Sequence, residues 1–179
     1  MKSIKIAVLA LAALFLANAS FAQKMSREKT VNVGGAAMYP SKNIVENAVN
    51  SKDHTTLVAA VKAAGLVETL QSSGPFTVFA PTNEAFNKLP KGTLDDLMKP
   101  EKKTDLQNIL QYHVTTSSLK ADFFKDGQTI GMVNGDNITI NVKDGKIILN
   151  NSATIVASVP ASNGMVHVID GVLLPPTKN

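Results

Sequence analysis

The sequence predicts a single α+β domain, with helices through its first half and antiparallel strands through its second. Three observations carry this. Apolar residues recur at helical spacing at Ile44, Val45, Ala48 and Val49, and again at Leu57, Val58, Val61 and Ala64. From Thr129 onward the pattern is β, and Asp144-Gly145 stands between two apolar strand-like runs. Between these halves lies Gly74 to Phe86, GPFTVFAPTNEAF, in which a buried strand runs into a helix through a two-residue corner.

The chain begins as an export signal. Lys2 and Lys5 form a basic start, Ile6 to Ala17 is an unbroken apolar run, and Ser20-Phe21-Ala22 places small residues at the −3 and −1 positions of a cleavage site before Gln23. The run is short of the roughly 20 residues a membrane span needs. Residues 1–22 are therefore expected to be cleaved, and with no Cys after the run no lipid anchor is expected. Residues 23–40, with Gly34-Gly35, read as a flexible lead-in, 41–176 as the domain, and 177–179 as a tail. One domain of this length buries roughly two thirds of its unfolded surface.

Ser41 is expected to cap the first helix, and Ser51 or Asp53 the second. Gly65 fits the left-handed stop of the second, and Leu66, Val67 and Leu70 continue the apolar set to Ser72-Ser73-Gly74. Phe76-Thr77-Val78-Phe79-Ala80 has strand composition. Pro81 ends it, because proline cannot donate to a ladder, and the Thr82 hydroxyl is placed to cap the helix holding Ala85, Phe86 and Leu89. Thr93 is expected to cap a short helix with Leu94 and Leu97, and Asp105 to precede another through Leu106, Ile109 and Leu110 to Tyr112. Ile138, Ile140 and Val142 share one face of a strand and Thr139 and Asn141 the other. Asp144-Gly145 then predicts a type I′ hairpin to Lys146-Ile147-Ile148-Leu149. Ala153 to Val159 and Met165 to Leu174 read as two more strands, closed by Pro175-Pro176.

Three stretches together resemble the fasciclin domain family. They are Gly74 to Phe86, the Tyr112-His113 pair within Leu110-Gln111-Tyr112-His113-Val114, and Asn163 to Pro175, which reads NGMVHVIDGVLLP. The resemblance covers roughly residues 41 to 176 and implies a twisted β-wedge with helices along one side. It marks Thr77, Phe79, Ala80, Pro81, Thr82, Asn83, Phe86, Tyr112, His113, His167, Asp170 and Gly171 as a structural signature rather than an active site. It also implies a secreted or cell-surface protein with an adhesive role. Animal integrin recognition does not carry over, since no Arg-Gly-Asp occurs.

Composition narrows the chemistry. The formal charge is +4, and removing a signal that holds Lys2 and Lys5 but no acid takes it to +2. With no Trp, two Tyr and no dense basic run, nucleic acid is not an expected partner. Absence of Cys excludes thiol catalysis, thiolate metal sites and disulfides. The three His residues, His54, His113 and His167, show no metal-ligand spacing. His54 is expected to be exposed at a helix start, and His113 to bond inside the domain. No Gly-x-Ser-x-Gly elbow is present, and Thr82 has no adjacent base, so it caps rather than attacks. Asp136, Asp144 and Asp170 are too scattered for a calcium loop, and the sequons at Asn137 and Asn150 read as accidental.

The expected function is thus a non-enzymatic, exported interaction module without cofactors. Its partner would be a cell-surface or matrix polysaccharide or protein, with weak self-association adding strength and no membrane span of its own. The edge of a strand at Lys146 to Asn150 and the polar face with Thr139, Asn141 and Asn151 are the expected contact surfaces. The alternative is a soluble periplasmic protein that binds a small ligand or stabilises the envelope.

Overall fold

The computed structural model describes residues 29–176. The signal expected over 1–22, residues 23–28 and the tail 177–179 lie outside the described residues. Residues expected to be a flexible lead-in instead form a hairpin, β1 (Val31–Val33) and β2 (Ala36–Met38), turned by Gly34 and Gly35 at positive φ. Val33 and Met38 are buried and join the main core. Each strand has only three residues, too few for a period of two to stand out.

Helix α1 (Ile44–Asn50) is capped by Asn43 and not by Ser41. The Asn43 side chain accepts from the Glu46 amide at 2.9 Å, while the Glu46 carboxylate accepts from the Asn43 amide at 2.8 Å. This reciprocal box satisfies two amides at once. Helix α2 (Thr55–Ala64) follows a 3₁₀ turn at Lys52–His54 and stops at Gly65 with φ 73°, as its sequence predicts. Neither Ser51 nor Asp53 caps it. The cap comes from Asn83 instead, whose side-chain oxygen accepts from the Thr56 amide at 3.0 Å. Helix α3 (Val67–Gln71) leads to the central strand.

After that strand come α4 (Asn83–Asn87), capped by Thr82 through the Ala85 amide at 3.2 Å, and α5 (Thr93–Leu97). Gly92, at φ 84°, takes the cap position expected of Thr93. Helix α6 (Lys103–Gln111) begins two residues before Asp105, continuing a 3₁₀ turn at Pro100–Lys102.

Seven strands form one sheet in the order β4-β3-β9-β8-β7-β6-β5. They are β3 (Phe76–Pro81), β4 (Val114–Thr115), β5 (Thr129–Gly131), β6 (Asn137–Lys143), β7 (Lys146–Leu149), β8 (Ala153–Ala161) and β9 (Gly164–Ile169). The Val133 amide, just beyond β5, donates to the Val114 carbonyl of β4 at 2.8 Å, so the two ends of the sheet meet and it curls into a near-barrel wedge. The β6–β7 hairpin turns at Asp144 and Gly145, with φ of 51° and 74°, the geometry the dipeptide predicts.

Not every pair is antiparallel. β3 and β9 run parallel from Phe76↔Gly164 to Pro81↔Ile169. Parallel strands need cover on both faces, and these have it. Val78, Ala80, Val166 and Val168 face a core shared with Leu57, Val61, Leu70 and Leu106 of the helices. Phe79 and Ile169 face a second core inside the wedge, with Tyr112, Ile138, Ile140, Leu149 and Leu173. The strand expected to offer a free edge at Lys146 is β7, which is paired on both sides. Its Ile-Ile-Leu run marks a strand, but edge position depends on partners that only the fold supplies.

Candidate functional site

The signature residues converge where β3 and β9 lie side by side. Thr77 is fully buried. Its hydroxyl donates to the Ser117 carbonyl and accepts from the Leu119 amide at 2.8 Å, pinning the loop after β4. His167 holds the same loop from β9. Its Nε2 lies 2.8 Å from the Leu119 carbonyl, which can only accept, so Nε2 carries the proton. Nδ1 then accepts from the Ser158 hydroxyl at 2.8 Å. The ring stacks on Phe79, with centroids 5.6 Å apart, and meets the edge of Phe124 at 5.1 Å. Replacing Thr77 with Val keeps its shape and strands both loop partners. Thr77→Val is expected to cost about 1–3 kcal/mol, read as a lower urea midpoint at unchanged slope.

Tyr112 and His113 serve the two cores separately. The Tyr112 hydroxyl donates to the Asn137 carbonyl and accepts from the Asn150 side-chain Nδ2, each at 2.9 Å, which fastens α6 to β6 and the β7–β8 turn. His113 donates from Nδ1 to the Ile109 carbonyl at 2.8 Å and accepts at Nε2 from the Leu173 amide at 3.0 Å. Burial pushes its pKa down to about 4, against a smaller upward effect of the Ile109 bond. His167 is shifted down for the same reason.

The corner after β3 is consumed in the same way. Ala80, Pro81 and Phe86 are buried, Thr82 caps α4, and Asn83 caps α2 while donating to the Lys52 carbonyl at 2.9 Å. Near the C-terminus, Asp170 accepts from the Thr154 amide at 2.7 Å. A Cβ on Gly171 would lie 2.8 Å from the Ser152 carbonyl oxygen, so only glycine fits. His54, expected on the surface, is buried. The 3₁₀ turn directs its ring inward, where Nδ1 meets the Ser51 hydroxyl at 2.8 Å and burial lowers its pKa.

Sequence reasoning gave no separate role to Asn163. Its side chain accepts from the Ile44 amide at 3.0 Å and donates to the Leu70 and Ser72 carbonyls at 2.8 Å each. It thereby joins the starts of α1 and β9 to the end of α3. The Asn163-Gly164 dipeptide between two strands was the available signal, but it points to a turn rather than to these long-range bonds.

Two serine–imidazole contacts at 2.8 Å, Ser158–His167 and Ser51–His54, have the distance of a nucleophile and its base. Both imidazoles are about 1% exposed or less, so each contact is an internal bond rather than one open to a substrate. Among the described residues, no three His, Asp or Glu side chains gather as metal ligands. No described helix is long and apolar enough to cross a membrane.

Two concave features stand out among the described residues. An apolar cavity of about 210 Å³ lies between the helices and the sheet. A polar surface cleft is lined by Ser118, Lys120, Asp122, Phe123, Lys125 and Gln128. Elsewhere on the outer surface a bulge between Ile155 and Ala157 in β8 leaves Val156 58% exposed.

Comparison with known proteins agrees with this architecture. The model of the fasciclin domain matches residues 52–175. Protein sll1483 of Synechocystis is 46% identical over 164 residues, covering 92% of this chain and 91% of that one. The cell surface glycolipoprotein MPB83 of Mycobacterium bovis is 35% identical over 155 residues, 82% of this chain and 66% of the relative. Among solved structures, a pair of FAS1 domains from the insect cell adhesion molecule fasciclin I superimposes with a TM-score of 0.68 at 15% identity. That match covers 76% of this chain and 52% of the other, and shows a shared fold. With the family model spanning most of the chain, and the β3–α4 corner, the Tyr112-His113 pair and the β9 stretch all built into one wedge, the protein belongs to the fasciclin domain family.

Proposed function

We propose that the protein is an exported, non-enzymatic interaction module that binds a polymer or protein of the cell surface or matrix. Membership in the fasciclin family carries this reading, since its domains commonly serve adhesion and surface interaction, and one relative is named a cell surface glycolipoprotein. The placement of the polar signature residues supports it. Thr77, Tyr112, His113 and His167 are spent on internal bonds, which leaves recognition to the outer surface. Thr139 and Asn151 are exposed there, and hydroxyl and amide groups of that kind suit glycans. Contacts of this sort are weak singly and gain strength when several act together.

The test is saturable binding of the purified protein to the producing cell's envelope and to a panel of polysaccharides, beside a heat-denatured control. Binding that needs the folded domain is the expected result. Absence of binding to every surface, with the protein recovered as a periplasmic monomer, would overturn it.

A further inference from the structure

The cavity between helices and sheet has walls from Leu57 and Val61 of α2, Leu70 of α3, Val78 of β3, Leu110 of α6 and Val166 of β9. Protein interiors are packed like organic crystals and hold few voids larger than a water molecule. At about 210 Å³ this one exceeds the roughly 150 Å³ of an apolar cavity that stays dry and binds benzene. Water is a poor occupant, because a buried water needs about two to four polar partners. His113 lines the cavity, but both its ring nitrogens are committed to the backbone at Ile109 and Leu173.

The rim differs from the walls. Lys62, Thr69 and Thr116 border the same space and are exposed. Lys62 extends from the last turn of α2 and is the one lysine or arginine of the lining. It makes no ion pair among the described residues. An apolar interior with one free cation at its mouth is complementary to an amphiphile with an anionic head.

We infer that this cavity binds a straight-chain fatty acid, with the hydrocarbon tail inside and the carboxylate at Lys62. By proportion with benzene, the interior takes a tail of roughly eight carbons. This site is independent of the surface-binding reading, and either stands without the other.

Octanoate and 1-octanol, titrated calorimetrically into the purified protein with melting followed in parallel, test it. Octanoate is expected to bind saturably and raise the melting temperature, and octanol to bind more weakly. Lys62→Gln is expected to weaken octanoate about two- to fivefold, the range of an exposed ion pair, and to leave octanol unchanged. Ala48→Leu fills the cavity from α1 and is expected to remove binding of both. Should Ala48→Leu fail to fold, the Lys62→Gln and octanol comparison still decides. Folded wild-type protein that responds to neither ligand overturns the site. Octanoate binding indifferent to Lys62→Gln and no tighter than octanol overturns the place given to the carboxylate.

Discussion

Gly164→Ala is expected to abolish the cooperative unfolding transition of the domain, a loss above about 4 kcal/mol. Gly164 opens β9 opposite Phe76 of β3, at the first rung of the parallel pair. A Cβ there would run into the Phe76 carbonyl oxygen and stand 2.8 Å from both the Phe76 carbonyl carbon and its amide nitrogen. The neighbours that would have to move are backbone atoms, and the Phe76 amide is itself held by the Asn163 carbonyl at 3.0 Å. Relief would mean parting β3 from β9, which are buried on both faces and carry both cores. Gly127→Ala is the control. Gly127 also has positive φ, at 74°, but nothing lies within 4 Å of an added Cβ. It is expected to cost only the backbone strain of about 1–2 kcal/mol. Urea unfolding followed by circular dichroism separates the two, and equal midpoints would show that close approach of the β3 and β9 backbones does not limit the fold.

The contrast between these glycines shows where the sequence could be read and where it could not. Signals contained within a few residues carried through to the structure. Gly65 ends α2, Thr82 caps α4, and Asp144-Gly145 turns β6 into β7, because each acts on its own backbone. Features set by distant partners did not show. Asn83 caps a helix that begins 28 residues earlier, which no local pattern records. His54 reads as an exposed residue at a helix start until Ser51 and the β1–β2 hairpin are packed around it. The interior position of β7 and the parallel pairing of β3 with β9 depend on topology, since strand composition is the same at an edge or in the middle. In the candidate site, the signature residues were found through motif resemblance. The roles of Asn83 and Asn163 needed the fold, and so did the cavity, because a void is a property of packing.

His113 should make the domain acid-sensitive in a defined window. The folded state binds the imidazole in its neutral form: the Leu173 amide donates to Nε2, and burial drives the pKa from 6.5 to about 4. The unfolded chain keeps the ordinary value and therefore binds more protons below it, so stability must rise with pH across this range. The contribution is fully present above pH 6.5 and is lost progressively as pH falls to about 4. A drop of that size corresponds to about 3 kcal/mol. His54 and His167 are shifted in the same direction and add to the slope. Other groups titrate in acid too, so the wild-type curve alone does not isolate His113. His113→Ala does. At pH 7 it is expected to cost about 1–3 kcal/mol, because the Leu173 amide and the Ile109 carbonyl lose their partner. That cost should shrink steadily below pH 6.5, until the variant equals or exceeds wild type in stability near pH 4. Urea midpoints for both proteins across pH 4 to 7 give the comparison. Parallel curves would mean that the folded domain accommodates a charged imidazole at position 113, by admitting water or by releasing Leu173, and that burial does not keep this histidine neutral.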